Sequence, residues 1–476
     1  MQKEWRKSQG FYPTPRLLAK RLIHDRLLNN SWLPNGILEP AAGFGDFILE
    51  TWSTLFEVRG LSPKQKNNLI ANTILFENNK LIFKALQLNI ETWCQERRLK
   101  SRPILFNVNF LLNGRSCLTS PPDNFLVVGN PPWDEFTTRK HDGLDTIQSL
   151  RRERAQEKHH FSKMGFKNVY QCFLSEVLKI SSHPLSLIFV LPRQLLGDRS
   201  SQDLRKQMIN TGKLNLTVYC NKDEPSHMFE SVARTAEILC VDYRSQSSIE
   251  VNIRRGFDTK FTAIKPFGKD WTIPCPYSSH AQTQTLLAHI LKNASLFAWE
   301  RDFEITVSRG QVDYTNRDYS KAFNGRTLIA YKFEDAESTD VIINKILPDS
   351  RRKLKAAIIR SHNNLSDSML RIRCKNEKAH PYLMLLLNSR PIELALRSVI
   401  SNINLNNFRL LSLPIPPPNT KVLSMAEDLC RQCLRKKLAW EDASDQLAQV
   451  VYRLRDEQLL PLRTLFPDRE KEKIAA

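Results

Sequence analysis

Two short apolar runs that break off at unusual turns constrain this chain more than any other feature. "GILEPAAGFGDF" (36–47) carries Ile37 and Leu38 into a turn containing Gly43 and Gly45, and "FLVVGNPPW" (125–133) ends in Asn130, Pro131, Pro132 and Trp133. Apolar runs this short, bounded by turn residues, have the signature of strands covered on both faces. Further runs of the same kind follow in "NTILFE", "RPILFNV", "LSLIFVL", "NLTVY" and "AEILCVDY". Helical patterns separate them at "PRLLAKRLIHDRLL", from Asn78 to Arg97, at "VYQCFLSEVLKI" and near "SQDLRKQMI". This alternation predicts an α/β fold with a central, mainly parallel sheet.

At 476 residues the chain is too long for one ordinary core, so two or three domains are expected. The alternation is lost near Ser245. Residues 1–245 are read as the α/β domain and 246–419 as a second, mixed α+β domain with short strands such as "SIEVNI" and "TLIAYKF". "LSLPIPPPNT" stops that domain, since clustered prolines forbid a continuing helix or central strand. Residues 420–476 are charged and helical in pattern, a terminal helical appendage. The close pair Cys430 and Cys433 lies within that helical pattern, and without a second pair or a nearby histidine it is read as two buried thiols.

No apolar run approaches the roughly eighteen residues of a membrane span, and the N-terminus lacks a signal-peptide core; a cytoplasmic protein is expected. Lysine and arginine outnumber acidic residues 70 to 50, a formal net charge of +20. Such an excess is self-repelling unless it faces a polyanion, which points to nucleic acid.

The first turn places Glu39 at a strand end, followed by Pro40, Ala41 and Ala42, with Gly43 and Gly45 able to let the backbone pass close to a ligand. A helix starting near Asp46 turns its amides to the same crevice, where open α/β sheets bind nucleosides. The dinucleotide fingerprint lacks its third glycine, which is Ile48 here, and the Lys-Ser/Thr of a P-loop is absent. A tight turn without a ligand remains the plain alternative. Glu77, ending "TILF", has the position of an acid that accepts from a ribose hydroxyl, and equally that of a charge opening the next helix.

The second turn is the sharper signal. Consecutive prolines fix the backbone and remove donors, leaving the Asn130 side-chain oxygen and the Pro131 carbonyl able to accept from one amino group. Trp133 supplies a flat face for a base taken out of its stack. Two fixed acceptors favour tetrahedral character at a delocalised amine nitrogen and stabilise the positive charge that grows as it attacks. Such chemistry needs no metal and no covalent nucleophile. The plain alternative is a capped turn with Trp133 in a core.

Together these residues resemble the amino-group DNA methyltransferases of type II restriction-modification systems, in particular the TaqI-like adenine-N6 enzymes. "EPAAGFGDF" matches their cofactor loop with Glu39 leading, and "NPPW" their catalytic tetrapeptide, Asn130 to Trp133. "GFYPTPRLLAKRL" looks like the upstream segment that wraps the cofactor's methionine part, which places Thr14 there. "ILFENNKLIFKALQLNI" resembles the ribose segment, with Glu77, and "ILFNVNFLL" the adenine-contact segment, with Asn109 where aspartate usually leads. The resemblance implies a Rossmann-like domain using S-adenosylmethionine, with cofactor residues Thr14, Glu39, Pro40, Ala41, Gly43, Gly45, Glu77 and Asn109. "FEITVSRGQVDYTN" and "HPYLMLLLNSRPIELALRS" resemble frames of the family's DNA-recognition domain, and Arg309, Arg317, Arg326 and Lys332 are candidate DNA contacts there.

The implied partners are double-stranded DNA and a cognate restriction endonuclease in a prokaryotic cytoplasm, with a monomer sufficient. Within methyl transfer the rivals are cytosine N4, where serine more often leads the tetrapeptide, and an RNA or a protein glutamine as substrate. A catalytically inactive DNA-binding module is the non-enzymatic alternative.

Overall fold

The computed structural model describes residues 14–28, 33–118, 124–133, 136, 145–180, 186–192, 194–209, 215–220, 236–242, 250–255, 262–263, 281–292, 303, 306–309, 339–344, 354–360, 369–399, 405 and 407–466. The chain divides into two compact units, Met1–Lys265 and Pro266–Ala476.

The first unit is built on nine strands: β1 (Ile37–Glu39), β2 (Thr73–Phe76), β3 (Ile104–Phe106), β4 (Leu126–Gly129), β5 (Ser186–Pro192), β6 (Asn215–Cys220), β7 (Ala236–Asp242), β8 (Glu250–Arg255) and β9 (Thr262–Ala263). Their order in the sheet is β3-β2-β1-β4-β5-β7-β6-β8-β9. From β3 across to β5 every pairing is parallel; β7 then runs antiparallel between β5 and β6, as β9 does beside β8. This is the mainly parallel α/β sheet expected from the alternation. Every residue of β1, β4 and β5 is buried, as strands covered on both faces require.

Local chemistry starts the helices that follow these strands. Ser62 and Gln65 form a reciprocal capping box on Pro63–Ala71, Asn79 accepts from Leu81 and Ile82 to open Lys80–Glu96, and Asn109 accepts from Leu111 to open Phe110–Cys117. Trp52, from helix Asp46–Arg59, is fully buried against Trp93 at 5.2 Å between ring centroids and donates to Thr73 Oγ1 at 3.2 Å. Phe76, Phe106, Phe110 and Phe173 form a continuous aromatic chain beneath the carboxyl ends of β2 and β3.

The strand read from "SIEVNI" stays in this first sheet: β8 pairs parallel to β6, Leu216 opposite Val251, so the first unit runs past Ser245 to Lys265. The segment "TLIAYKF" lies outside the described residues.

In the second unit β10 (Thr306–Arg309), β11 (Thr339–Asn344), β12 (Ala356–Arg360) and β13 (Met369–Arg373) form an antiparallel sheet in the order β10-β13-β11-β12. Helices Ala379–Asn388, Arg390–Val399, Thr420–Leu434, Trp440–Tyr452 and Asp456–Leu465 share one core with that sheet. The proline stop is tied into this core. Its carbonyls receive buried phenols, Tyr452 to Pro414 and Tyr382 to Pro416, each at 2.6 Å. Arg390 pairs with Asp445 deep between the helices. Cys430 and Cys433 are buried thiols of helix Thr420–Leu434, and burial pushes the Cys433 thiol up to about 12. Among the described residues no helix is long and apolar enough to cross a membrane.

Gly45 caps helix Asp46–Arg59 at φ +87°, and a Cβ there would sit 2.8 Å from Leu86 Cδ1 of the neighbouring helix. Gly60, at the other end of the same helix, has φ +55° with open space around it. Gly60→Ala is expected to cost about 1 kcal/mol for the left-handed backbone alone. Gly45→Ala should cost about 2–4 kcal/mol, because an overpacked contact is added. Urea unfolding of both variants checks the difference; equal losses would mean that the helix contact is slack.

Candidate active site

The sheet reverses its order at β1, which has β2 on one side and β4 on the other. All three strands run parallel, so the segments leaving their carboxyl ends gather at one edge. The turn after β1 is tied to its neighbour by Ala42 N–H donating to Phe76 O at 2.8 Å and closed by Gly45 N–H donating to Ala42 O at 2.9 Å. Gly43, at φ +55°, turns its N–H onto Glu77 Oε2 at 3.0 Å. Glu77 Oε1 accepts from the Asn79 N–H at 2.7 Å, so this acid both opens the following helix and clamps the glycine turn.

Two carboxyl groups are therefore buried side by side. Glu39 is 2% exposed, and its Oε2 has no hydrogen-bond partner among the described residues. Burial holds its carboxyl well above the usual carboxylate range, Asp46 and Glu77 add to the rise, and the Ile48 amide opposes it. Glu77 is raised as well, again chiefly by burial, against the amides of Asn79 and Gly43. A buried oxygen left without a donor beside an open cavity fits a ligand that brings a hydroxyl or amine to it.

At the end of β4, Gly129 adopts φ +155°, and the position its missing Cβ would take lies 3.8 Å from both Glu39 Cγ and Pro40 Cδ. The prolyl turn thus starts in contact with the β1 turn. Asn130 and Pro132 are partly exposed, whereas Pro131 and Trp133 are buried. The Trp133 indole N–H donates to the Val190 carbonyl of β5 at 3.3 Å.

A fourth element completes the site. Helix Asp145–His160 brings in Glu153, Arg154 and Glu157, of which Arg154 and Glu157 are buried and joined through Arg154 Nη1 at 2.8 and 2.6 Å. Asn109 Nδ2 donates to Glu153 Oε1 at 2.5 Å and to Glu157 Oε1 at 3.0 Å, and Asn78 Nδ2 donates to Glu153 Oε1 at 2.7 Å.

These elements enclose a cavity of about 390 Å³, within the usual range for small-molecule sites. Of the residues singled out from the sequence, Thr14, Glu39, Pro40, Ala41, Gly43, Glu77 and Asn109 line it, and so do Asn130, Pro131, Pro132 and Trp133. Gly45 does not; it faces Leu86 in the helix packing described above. Arg309 ends β10 in the second unit, its side chain outside the described residues, as are Arg317, Arg326 and Lys332 altogether. Sequence reasoning missed Glu153, Arg154 and Glu157. Their helix has no apolar periodicity to reveal it, and its inward side is ionic.

Residues 63–225 match the sequence pattern of the Eco57I restriction-modification methylase family. A comparison with the sequences of curated proteins gives no match. Among solved structures, the DrdV–DNA complex is similar at 13% identity and a TM-score of 0.51, covering 89% of this chain and 57% of that one. A nuclease-deletion mutant of the Type ISP restriction-modification enzyme LlaGI, in complex with a DNA substrate mimic, is similar at 12% identity and a TM-score of 0.49, covering 88% and 54%. The first of these similarities supports the fold. The chain spans little more than half the length of either structure.

The raised Glu39 carboxyl has a definite consequence for stability. A folded-state value above the ordinary 4.5 means that the folded chain holds the proton more tightly than the unfolded one. Its contribution is complete below pH 4.5 and is lost as pH rises through the folded-state value. Glu39→Gln should therefore match the parent at pH of about 4.5 and exceed it at pH of about 8. Urea midpoints at the two pH values read this directly; a variant weakened at the higher pH would mean that the ionised carboxylate is well compensated.

Proposed function

We propose that this chain is a site-specific DNA methyltransferase of a restriction-modification system, transferring a methyl group from S-adenosylmethionine to N6 of an adenine taken out of the duplex. One observation carries the reading: the Glu39–Gly43 turn and the Asn130–Trp133 turn leave adjacent parallel strands and line a single cavity. The match of residues 63–225 to the methylase pattern and the net charge of +20 support it.

The residues present suit the cofactor. Glu77, whose two oxygens each already accept one amide N–H, would take the ribose hydroxyls on their remaining lone pairs, and Glu39 Oε2 offers a buried acceptor still without a donor among the described residues. Thr14, buried at the cavity wall, would contact the methionine part. When bound, S-adenosylmethionine supplies an electrophilic methyl group on a sulfonium. The cavity's acidic lining suits a cation of that kind.

The protein's own contribution is to hold the target nitrogen. The Asn130 carboxamide oxygen and the Pro131 carbonyl accept from the adenine amino group, drawing its lone pair out of the ring and countering the charge that develops on nitrogen. The Trp133 ring, anchored at its N–H edge by Val190, gives the base a fixed surface to stack on. Asparagine at the head of the tetrapeptide favours adenine over cytosine. The second unit would read the sequence of the duplex, with Arg309, Arg317, Arg326 and Lys332 as contacts, and a partner endonuclease would cut the same site when it is unmodified.

Incubation of the protein with labelled S-adenosylmethionine and duplex DNA, followed by mapping of the modified bases, is expected to find N6-methyladenine at one short sequence. Label on cytosine N4, RNA or protein would overturn the substrate assignment. Asn130→Ala should lower kcat by about 10²–10³, with the Kd for S-adenosylmethionine unchanged within about threefold, because its acceptor acts on the amine. An equal loss of cofactor affinity would move Asn130 out of the catalytic role.

A further inference from the structure

We infer that Glu153, carried on helix Asp145–His160, is the group that selects a 6-amino purine in the nucleoside end of this cavity. The inference rests on the reading of the cavity as the S-adenosylmethionine site. A purine base lying beyond a ribose held at Glu77 would reach the wall formed by Asn78, Asn109, Glu153, Arg154 and Glu157. Its amino group is a donor, and a buried donor must meet an acceptor.

Asn109 presents the opposite polarity there. Its Oδ1 accepts from the Leu111 N–H at 2.8 Å to cap the next helix, and its Nδ2 points at the two glutamates. Arg154 offers donors. Glu157 has both oxygens engaged, Oε1 by Arg154 and Asn109 and Oε2 by Arg154.

Glu153 differs from these neighbours. Both of its described donors, Asn78 and Asn109, converge on Oε1, and among the described residues no donor reaches Oε2. The two amides orient the carboxylate and stabilise its charge while leaving one oxygen free for a ligand donor.

A carboxylate in this role does more than hold an amine. It has no proton to offer, so where it faces the 6-substituent an oxo group would meet it with like partial charges and two unpaired acceptors, offset only in part by the adjacent N1–H of the 6-oxo base. A carboxamide can turn its NH₂ toward the same oxo group and accept either base. Glu153 is therefore a specificity residue for adenine over hypoxanthine. Acceptor and capping duties are split between two elements: Asn109 starts its helix, and the carboxylate arrives from a helix far along the chain.

The test is equilibrium binding of S-adenosylhomocysteine and S-inosylhomocysteine to the full-length protein and to Glu153→Gln, with thermal unfolding as the check on folding. The parent should prefer the adenosyl compound by about a hundredfold, and Glu153→Gln should compress that preference to less than about tenfold, chiefly by improving the inosyl affinity. Glu153→Gln combined with Asn109→Asp, which returns a carboxylate to the same wall from the neighbouring position, should restore the preference. An unchanged ratio in Glu153→Gln, or an equal loss of both ligands, would overturn the inference and leave Glu153 a structural tie. Failure of the parent to bind either compound would instead remove the cofactor reading on which the inference stands.

Discussion

The double pairing of β1 is the constraint on which the site depends. This strand is three residues long, yet Ile37 lies opposite Thr73 of β2 on one side and Leu126 of β4 on the other, parallel to both. Parallel pairing sends the segments after all three strands to the same edge, and reversal of the strand order at β1 opens a crevice between them. Glu39 and Gly129 reach their positions because the register is fixed. A shift by one residue would turn every side chain of β1 to the opposite face.

The distribution of charge within this frame is informative. The chain carries a net charge of +20, but the cavity gathers Glu39, Asp46, Glu77, Glu153 and Glu157 against only Lys80 and Arg154, the latter already paired with Glu157. Such a lining disfavours phosphates. The amide that a glycine loop would lend to a diphosphate is already used, since Gly43 N–H donates to Glu77. The same acid that blocks an anion makes the pocket suited to a ligand with hydroxyls, an amine and a positive centre. The basic excess must then act elsewhere on the molecule, as it would in a protein that holds a cationic small molecule in one place and a polyanion in another.

Much of this was legible in the sequence, and the reasons differ between elements. β1 and β4 announced themselves because buried strands are continuously apolar and their ends must turn, so "ILEPAAGFG" and "VVGNPPW" each contain strand, stop and cavity-lining residues within a short stretch. Helix Asp145–His160 was not legible, because "DTIQSLRRERAQEKHH" turns an ionic side inward and periodicity scans look for apolar ones. Glu153 and Glu157 acquire meaning only when the fold brings them beside Asn109. The departure at Asn109 was visible from the sequence. Its consequence, a carboxamide that caps with oxygen and donates with nitrogen, needed the geometry. The domain limit near Ser245 was blurred for a related reason: β8 and β9 add to the sheet edge, and among the described residues no helix accompanies them as helices accompany the earlier strands.

Trp133 is packed in a way compatible with two readings that compete on paper. β4 ends opposite Phe189, since two prolines cannot continue a ladder, while β5 runs on through Pro192 beside β7. Val190 therefore belongs to a stretch of β5 that β4 no longer accompanies, and its carbonyl needs a donor. The Trp133 indole supplies it at 3.3 Å, closing the gap that the prolyl turn creates. Phenylalanine could not do so, and tyrosine would carry its donor at the far end of the ring. The side chain is thus packed as a core residue along its N–H edge while still lining the cavity. In the proposed reading, a ring held this way would lose little further freedom on stacking against a base, so the bond to Val190 would also prepare the surface for binding.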